Sequence, residues 1–564
     1  MPIDSIDLLF LEKKTSIMNS NFIQNTGLVI LLFAFGFSTV YADNGTSKLQ
    51  LIKIKNTMAG GDYVSAWSEL RKLEKTDTLT SELYYLGGEC NFYLKNYEDA
   101  MEQLNRSIAL DGNANPEKYF FIGKIFQLAG ELEKAINEYK TFIEKTLKKS
   151  EETEEASILI TQCKKSIEMM SKPINVNISN IGTSINSEYP EYNPSISADG
   201  KTMIFTSRRP ESTGKLVDPE DGKFFEDIYI SKKDSLTGKW LEAENIPGEI
   251  NDDNHDANMT LSPDGKQIFV YRNKGARGSG TLYVSKKSPN GKWKKAEELE
   301  GDVNTSYFES SACLSPDGKT LYFVSERPRG GMGMGDIYMA KKKSKTEWEK
   351  AVSLGPIVND EYDQIGLFMH PDGKTLYYAS NSPKSLGGYD IFKTTIENGI
   401  CSEPENLGYP INTPGDERNF CLSTDGRQAW FSSDRNGGKG DIDIWEIDFS
   451  AIVEASKVKT SNEQEVQVPK GPPISILKGH IIDSDASQIV ETELSVTDKE
   501  NGKVFNINSD ENGDYFITLE GDRTYVVEVK NPLYKSYRFE VPMKSLSEGT
   551  YTKEQLIVLD RLKK

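Results

Sequence analysis

Along the 564 residues the spacing of apolar positions changes twice. From Leu49 to about Lys172 apolar residues recur at helical intervals, and small residues recur among them. Ala66, Ala100 and Ala135 lie 34 and 35 residues apart. Each follows Tyr63, Tyr97 or Leu132 by three and precedes Leu70, Leu104 or Tyr139 by four, and Gly88 and Gly123 share the same offset. Small residues at this interval let two helices cross closely while large ones fill the space between hairpins. Glu151 to Met170 reads as a solvating cap helix. From about Asn175 to Phe449 the pattern becomes short strands and Gly-rich turns. Five Asp-Gly pairs recur at Asp199, Asp264, Asp317, Asp372 and Asp425, and an Asn stands 13 residues before each: Asn186, Asn251, Asn304, Asn359 and Asn412. Asp-Gly between alternating apolar runs predicts a hairpin. A second strand follows the turn, as in Thr320 to Val324, and a third opens with Asp227, Asp336 or Asp390. Residues 450–473 are polar and end in Pro472-Pro473. Alternation then returns from Ile476 to Pro542, with a turn at Asp510 to Asp514.

Three or four strands per repeat make a propeller blade. The expected chain is therefore multidomain, α then all-β. A helical-repeat array (47–172) is followed by a five-bladed β-propeller (175–449), a linker (450–473), a small β-sandwich (474–545) and a tail (546–564). A sixth, degenerate blade stays open as an alternative. Ile178 to Gly182 matches the stretch Glu405 to Gly408 that precedes a later blade. The first segment of this region is thus expected to complete the last blade and remove an exposed edge.

Hydrophobic residues make up 37% and charged residues 27%, the balance of a globular chain. The net charge of −19 excludes a nucleic-acid partner, which needs a basic stripe, and charge-driven docking on anionic lipid. Gly27 to Val40 is an apolar run too short to span a membrane, and Val40-Tyr41-Ala42 offers small residues at a cleavage site. Residues 1–42 are read as a signal peptide, with an uncleaved anchor and a start at Met18 as the alternatives. No other segment is apolar enough to cross a bilayer. Five cysteines at irregular spacing predict neither a disulfide framework nor a metal site.

Catalytic signatures are absent from the sequence. His255, His370 and His480 lack metal-ligand spacing and read as turn or solvated histidines. There is no Gly-x-Ser-x-Gly elbow and no phosphate loop; Gly330 to Gly335 lies between two strands and opens no helix. Asp434 to Asp443 and Asp510 to Asp514 have oxygen-rich spacing that can hold Ca2+. Neither supplies a bidentate Glu at the twelfth position, and turn chemistry accounts for both, so no cofactor is expected. One recurrent set draws attention. Eight residues before the turn Asp stand Glu191, Asp256, Glu309 and Glu417, with Gln364 and Asp363 in the fourth repeat. On an innermost strand these acids would ring the channel mouth and favour a basic ligand. Arg209, Arg327 and Arg435 recur ten residues after the turn Asp, and salt bridges between blades would consume both sets instead.

The first region, through its Ala and Gly spacing, resembles the tetratricopeptide repeat. The second, through its Asp-Gly and Asp-Ile-Tyr motifs, resembles the TolB-type propeller. The third resembles the carboxypeptidase-regulatory-like sandwich. In this order the modules resemble Bacteroidetes envelope proteins of the PorE-like kind, without the OmpA-like domain that grips peptidoglycan. The resemblance implies a non-catalytic periplasmic adaptor whose partners are envelope or outer-membrane proteins, linked to type IX secretion or gliding. The alternative is a sensor holding a small molecule or glycan fragment in the propeller channel.

Overall fold

The computed structural model describes residues 41–562 apart from 76–79, 147, 219–221, 254, 274–279, 345–346, 451–472 and 486–487. The signal segment up to residue 40 and nearly all of the linker expected over 450–473 lie outside the described residues. Two compact units emerge, Met1–Ile167 with Asp218–Gly222, and Glu168–Val217 with Lys223–Lys564.

The first unit is helical: α1 (Tyr41–Ala59), α2 (Tyr63–Leu73), α3 (Ser81–Tyr93), α4 (Tyr97–Leu110), α5 (Glu117–Leu128), α6 (Leu132–Lys145) and most of α7 (Glu151–Met170). Asp62 caps α2 by accepting from Ser65 N at 2.9 Å, and Thr80 caps α3 from Leu83 N at 3.2 Å. Consecutive helices pair as hairpins, and the recurring small residues stand at the crossings. A Cβ added at Gly88 would meet Leu104 at 2.5 Å, and one at Gly123 would meet Tyr139 at 2.6 Å. Ala66, Ala100 and Ala135 are fully buried. The Tyr139 hydroxyl donates to Gln127 Oε1 at 2.7 Å, which satisfies its one buried polar group.

The second unit holds five antiparallel sheets, I to V, followed by a second β region. The first three strands of sheet I are Glu191–Ile196, Thr202–Ser207 and Asp227–Lys232, and those of sheet II are Ala257–Leu261, Gln267–Asn273 and Gly280–Lys286. Sheet III has Glu309–Leu314, Thr320–Ser325 and Asp336–Lys341; sheet IV has Gln364–Met369, Thr375–Ser380 and Asp390–Glu397; sheet V has Glu417–Leu422, Gln428–Ser433 and Asp443–Asp448. In sheets I to III a two-residue fourth strand completes the set, and in sheet IV two such strands, Ile400–Cys401 and Glu405–Asn406, pair with the third. In sheet V that place is taken by Asn177–Asn180, paired antiparallel with Asp443–Asp448, as the sequence predicts. The first strands neighbour one another in the order I, II, III, IV, V, and that of V lies against that of I. The sheets therefore form a ring. Its apolar layers lie between neighbouring sheets, for example Phe205, Tyr229, Trp430 and Phe431.

The second β region packs a three-stranded sheet (Asp514–Glu520, Ile474–Asp483, Tyr551–Leu559) against a four-stranded one (Val504–Asn508, Glu493–Asp498, Thr524–Val529, Tyr537–Pro542). The tail expected over 546–564 is corrected here. Tyr551–Leu559 runs parallel to Ile474–Asp483 along nine residue pairs and buries Ile557 and Leu559 in the core. Its first half, Thr552 to Gln555, is polar because this strand forms the sheet edge, which hid the alternation.

Candidate functional site

Each first strand starts at one end of the ring, the entry end, and runs to the Asp-Gly turn at the other. The recurrent acids open the first strands, and the structure encloses them. Glu191, Glu309 and Glu417 are 0% exposed. Their Oε2 atoms accept from the backbone N of Ser187 (2.7 Å), Thr305 (3.0 Å) and Thr413 (2.7 Å). Their Oε1 atoms accept from the same hydroxyls, from Ser207, Ser325 and Ser433 on the second strand, and from Arg209 (3.0 Å), Arg327 (3.4 Å) and Arg435 (3.0 Å). Two expectations are corrected. The acids are internal posts, not groups open at a channel mouth, and each ion pair joins residues of one repeat, not two blades. Burial raises the carboxyls of Glu191 and Glu417 despite these donors.

Repeats II and IV vary the post. Asp256 takes its guanidinium from Arg272, at 2.7 Å. The sequence pattern missed Arg272 because it follows the turn Asp by eight residues, on the strand itself. Burial pushes Asp256 up to about 7 against the pull of that arginine. In repeat IV the polarity is reversed: the Gln364 amide donates to Asp360 Oδ1 at 2.8 Å, so the acid sits where Ser187, Thr305 and Thr413 sit elsewhere.

The five asparagines join sheet to sheet. Asn186 accepts from Ile444 N at 3.0 Å and donates to Ile444 O at 2.9 Å. Asn251, Asn304, Asn359 and Asn412 make the same two bonds to Ile228, Leu282, Ile337 and Ile391, each on the third strand of the preceding sheet. A primary amide reproduces the peptide donor–acceptor pair, so each Asn satisfies two buried backbone groups. The Asn186 clamp ties sheet I to sheet V and closes the ring. Third-strand Asp227, Asp336, Asp390 and Asp443 fasten the loops that precede them: Asp336 Oδ2, for one, accepts from Met332 N at 2.8 Å and from Gly333 N at 3.2 Å.

At the far end the turns share one build. Asp199, Asp264, Asp317 and Asp425 accept from a Ser two residues earlier, and the five glycines adopt φ of 69° to 72°. His370 replaces that Ser in repeat IV and lies 3.3 Å from Asp372, which explains it as a turn residue. All five turns meet the second β region. Lys478 lies 3.7 Å from Asp199, and Lys266 reaches Asp510 (2.8 Å) and Asp514. Lys319 donates to Asn506 O at 2.7 Å, Thr518 donates to Pro371 O at 2.7 Å, and Gly549 N donates to Asp425 Oδ2 at 2.8 Å. The second β region therefore covers the turn end. His480 lies 2.9 Å from Asp514 in the same contact.

The two acidic motifs resolve into turns and ion pairs. Asp443 accepts from Lys439 N and from Gly440 N at 3.2 Å, and Asp441 pairs with Lys223. Asp510 Oδ1 accepts from Asn512 N at 2.8 Å and from Asp514 N at 2.9 Å. Among the described residues no group of three His, Cys, Asp or Glu is placed to hold a metal. The five cysteines are buried free thiols.

Polar groups that do not recur gather at the entry end. Tyr192 donates to Glu226, and His255 Nδ1 lies 3.0 Å from Glu226 Oε2, with the Phe225 ring tilted against the imidazole at 4.2 Å. Burial works to raise Glu226, but His255, Arg208 and Tyr192 hold it down at about 2. Between sheets IV and V, Tyr389 donates to Asp363 at 3.1 Å beneath the Arg418 guanidinium, which pairs with Asp416 at 2.8 Å. Glu226, Tyr389 and Arg418 carried no signal in the sequence because no other repeat has them in those slots.

No family model matches the chain. BBSome complex member BBS4 of Bos taurus is 36% identical over 81 residues, covering 14% of this chain and 15% of that protein. The chain thus spans a small part of that relative. Among solved structures, an α-L-arabinofuranosidase from Lactobacillus brevis is 15% identical, covers 46% of this chain and 90% of its own, and has a TM-score of 0.30. A β-1,2-mannobiose phosphorylase from Listeria innocua is 10% identical, with 51% and 100% coverage and a TM-score of 0.33. A GH32 β-fructofuranosidase from Bombyx mori is 11% identical, with 70% and 95% coverage and a TM-score of 0.29. These neighbours are enzymes; likeness at this level carries no argument about the activity of this chain.

Proposed function

We propose that the chain is a non-catalytic adaptor of the bacterial envelope: a tetratricopeptide-like array, a five-bladed TolB-like propeller and a carboxypeptidase-regulatory-like sandwich, exported to the periplasm. The observation that carries the reading is the use of the recurrent polar residues. The posts and the clamps are spent inside the ring, the turn acids on their own turns and on the second β region, and none is left as a reacting group. What remains for function is surface. The partial likeness to a member of a multiprotein complex supports the same reading for the helical array. The partners proposed are envelope or outer-membrane proteins of type IX secretion or gliding.

The test is crosslinking in envelopes of the native host with full-length protein and a variant lacking 47–172. The reading expects envelope proteins captured by the full chain only, while the tryptophan-rich ring melts unchanged in the variant. Equal capture by both forms, or none by either, overturns it. A small ligand that raises the melting temperature of the full chain would favour the sensor alternative instead.

A further inference from the structure

The entry end carries a recurrent set of aromatic side chains that the posts and clamps do not use. In the turn leading into the first strand, two residues before the post, stand Tyr189, Tyr307 and Tyr362. One build presents all three: the tyrosine backbone N donates to the side chain two residues earlier, Ser187 (3.1 Å), Thr305 (3.1 Å) or Asp360 (3.0 Å). Repeat V keeps the same bond, from Gly415 N to Thr413 at 3.1 Å, with no side chain at that place, so the turn forms without the tyrosine. Tyr307 is 44% exposed, and Tyr189 and Tyr362 are half-buried. Exposed carboxylates stand beside them: Glu188 next to Tyr189, Glu361 next to Tyr362, and Asp253 in the matching turn of repeat II. The other end of the ring lies under the second β region, so the exposed side chains of this end are not engaged by it.

We infer that the entry end is a docking surface for a lysine- and arginine-rich segment of a partner protein. Aromatic faces attract ammonium and guanidinium groups, and adjacent carboxylates add charge-assisted hydrogen bonds. The sign is set by the neighbouring acids and agrees with the net charge of −19. The tyrosines stand on three different sheets, I, III and IV, so one small cation cannot engage all of them, whereas an extended basic polypeptide crossing the end of the ring can. The inference rests on the adaptor reading and adds to it the surface and the chemistry of one partner.

The experiment uses the full chain and three labelled peptides of equal length: lysine/arginine-rich, glutamate-rich and neutral. Binding is followed by fluorescence anisotropy at low and at raised salt. The basic peptide is expected to bind best, to weaken as salt rises, and to lose at least about tenfold in affinity in the variant Tyr307→Ala with Tyr362→Ala. Glu188→Gln with Glu361→Gln is expected to lose less and to flatten the salt dependence. An unchanged melting temperature in both variants excludes misfolding as the cause. Binding of the basic peptide that ignores both double variants overturns the proposal, since the whole acidic surface would then be responsible. A glucosamine oligomer that binds where the basic peptide does not overturns it in favour of a carbohydrate. Loss of envelope partners on deletion of 47–172, with no basic-peptide binding, sinks this surface alone. Peptide binding without any partner captured through the helices sinks the adaptor reading alone.

Discussion

The helical array and the sheet ring are both built from repeats, yet their recurring residues do opposite kinds of work. In the array the repeated positions are small and apolar: Gly88 against Leu104, Gly123 against Tyr139. They fix distance, and their stabilisation is close packing. In the ring the repeated positions are polar, and several are wholly buried: Asn412 on the Ile391 backbone, Glu417 on Arg435. They fix connection, joining sheets whose own hydrogen bonds stop at their edges. Recurrence therefore marks architecture in both regions, and polarity alone does not mark a site. If so, removing a ring post must cost more than crowding a helix crossing.

The largest effect is expected at the post. Glu417→Ala leaves the half-buried Arg435 without its counter-charge, along with the Thr413 and Ser433 hydroxyls, and is expected to cost about 3 kcal/mol. Denaturation followed by tryptophan fluorescence reads this directly, since only Trp67 of the six tryptophans lies in the helical array. Gly123→Ala, which drives a Cβ against the Tyr139 ring, is expected to cost about 1–3 kcal/mol in the helical circular-dichroism transition. A Glu417→Ala cost at or below the Gly123→Ala cost would break the comparison.

Repeat IV sharpens it, because nature has already exchanged the acid there. Gln364 stands where Glu191, Glu309 and Glu417 stand, with Asp360 as its partner and Ser382 in the arginine slot. Gln364→Glu places a second carboxylate against Asp360 with no cation in that slot. The expected loss is about 2–3 kcal/mol near neutral pH, smaller near pH 5, where the introduced carboxyl takes up a proton. A Gln364→Glu protein as stable as the parent at both pH values would mean the slot tolerates charge without an arginine, and the posts would lose their meaning.

Much of this was legible from residues alone, and the failures have physical causes. Five sheets, the strand Asn177–Asn180 completing the last, and the helical hairpins all follow from periods of two and 34 residues. Burial is not written in a period. Glu309 reads either as a channel carboxylate or as a partner of Arg327, since acids are seldom fully enclosed, and the Thr305 and Ser325 hydroxyls that close round it carry no signal in the period. Arg272 escaped because it lies on the strand, two residues short of its counterparts. The strand Tyr551–Leu559 escaped because half of an edge strand faces water. His255 reads as a turn or solvated histidine, and its pairing with Glu226 escaped because a cluster between sheets I and II appears once, and repeat alignment is blind to what does not repeat.

The smallest expected effect concerns the array, and it tests whether apolar packing there is as complete as the comparison claims. Glu89 on α3 is an acidic exception: desolvation pushes its carboxyl up to about 7, against the Tyr85 hydroxyl that hydrogen-bonds to it and aided by the Glu117 charge. A carboxyl raised from 4.5 in this way binds its proton more tightly in the folded array than in the unfolded chain. Its stabilisation is present in full below about pH 4.5 and is lost as pH rises through about 7. The helical transition is therefore expected to lie a few degrees higher near pH 5 than near pH 8. Glu89→Gln, which cannot ionise, is expected to remove that dependence and to match the pH 5 behaviour at both values. The ring posts answer differently, since Glu417→Gln leaves Arg435 without its counter-charge and destabilises at both pH values. A parent array indifferent to pH would place the Glu89 carboxylate in water, and the array would then enclose no carboxyl at this position.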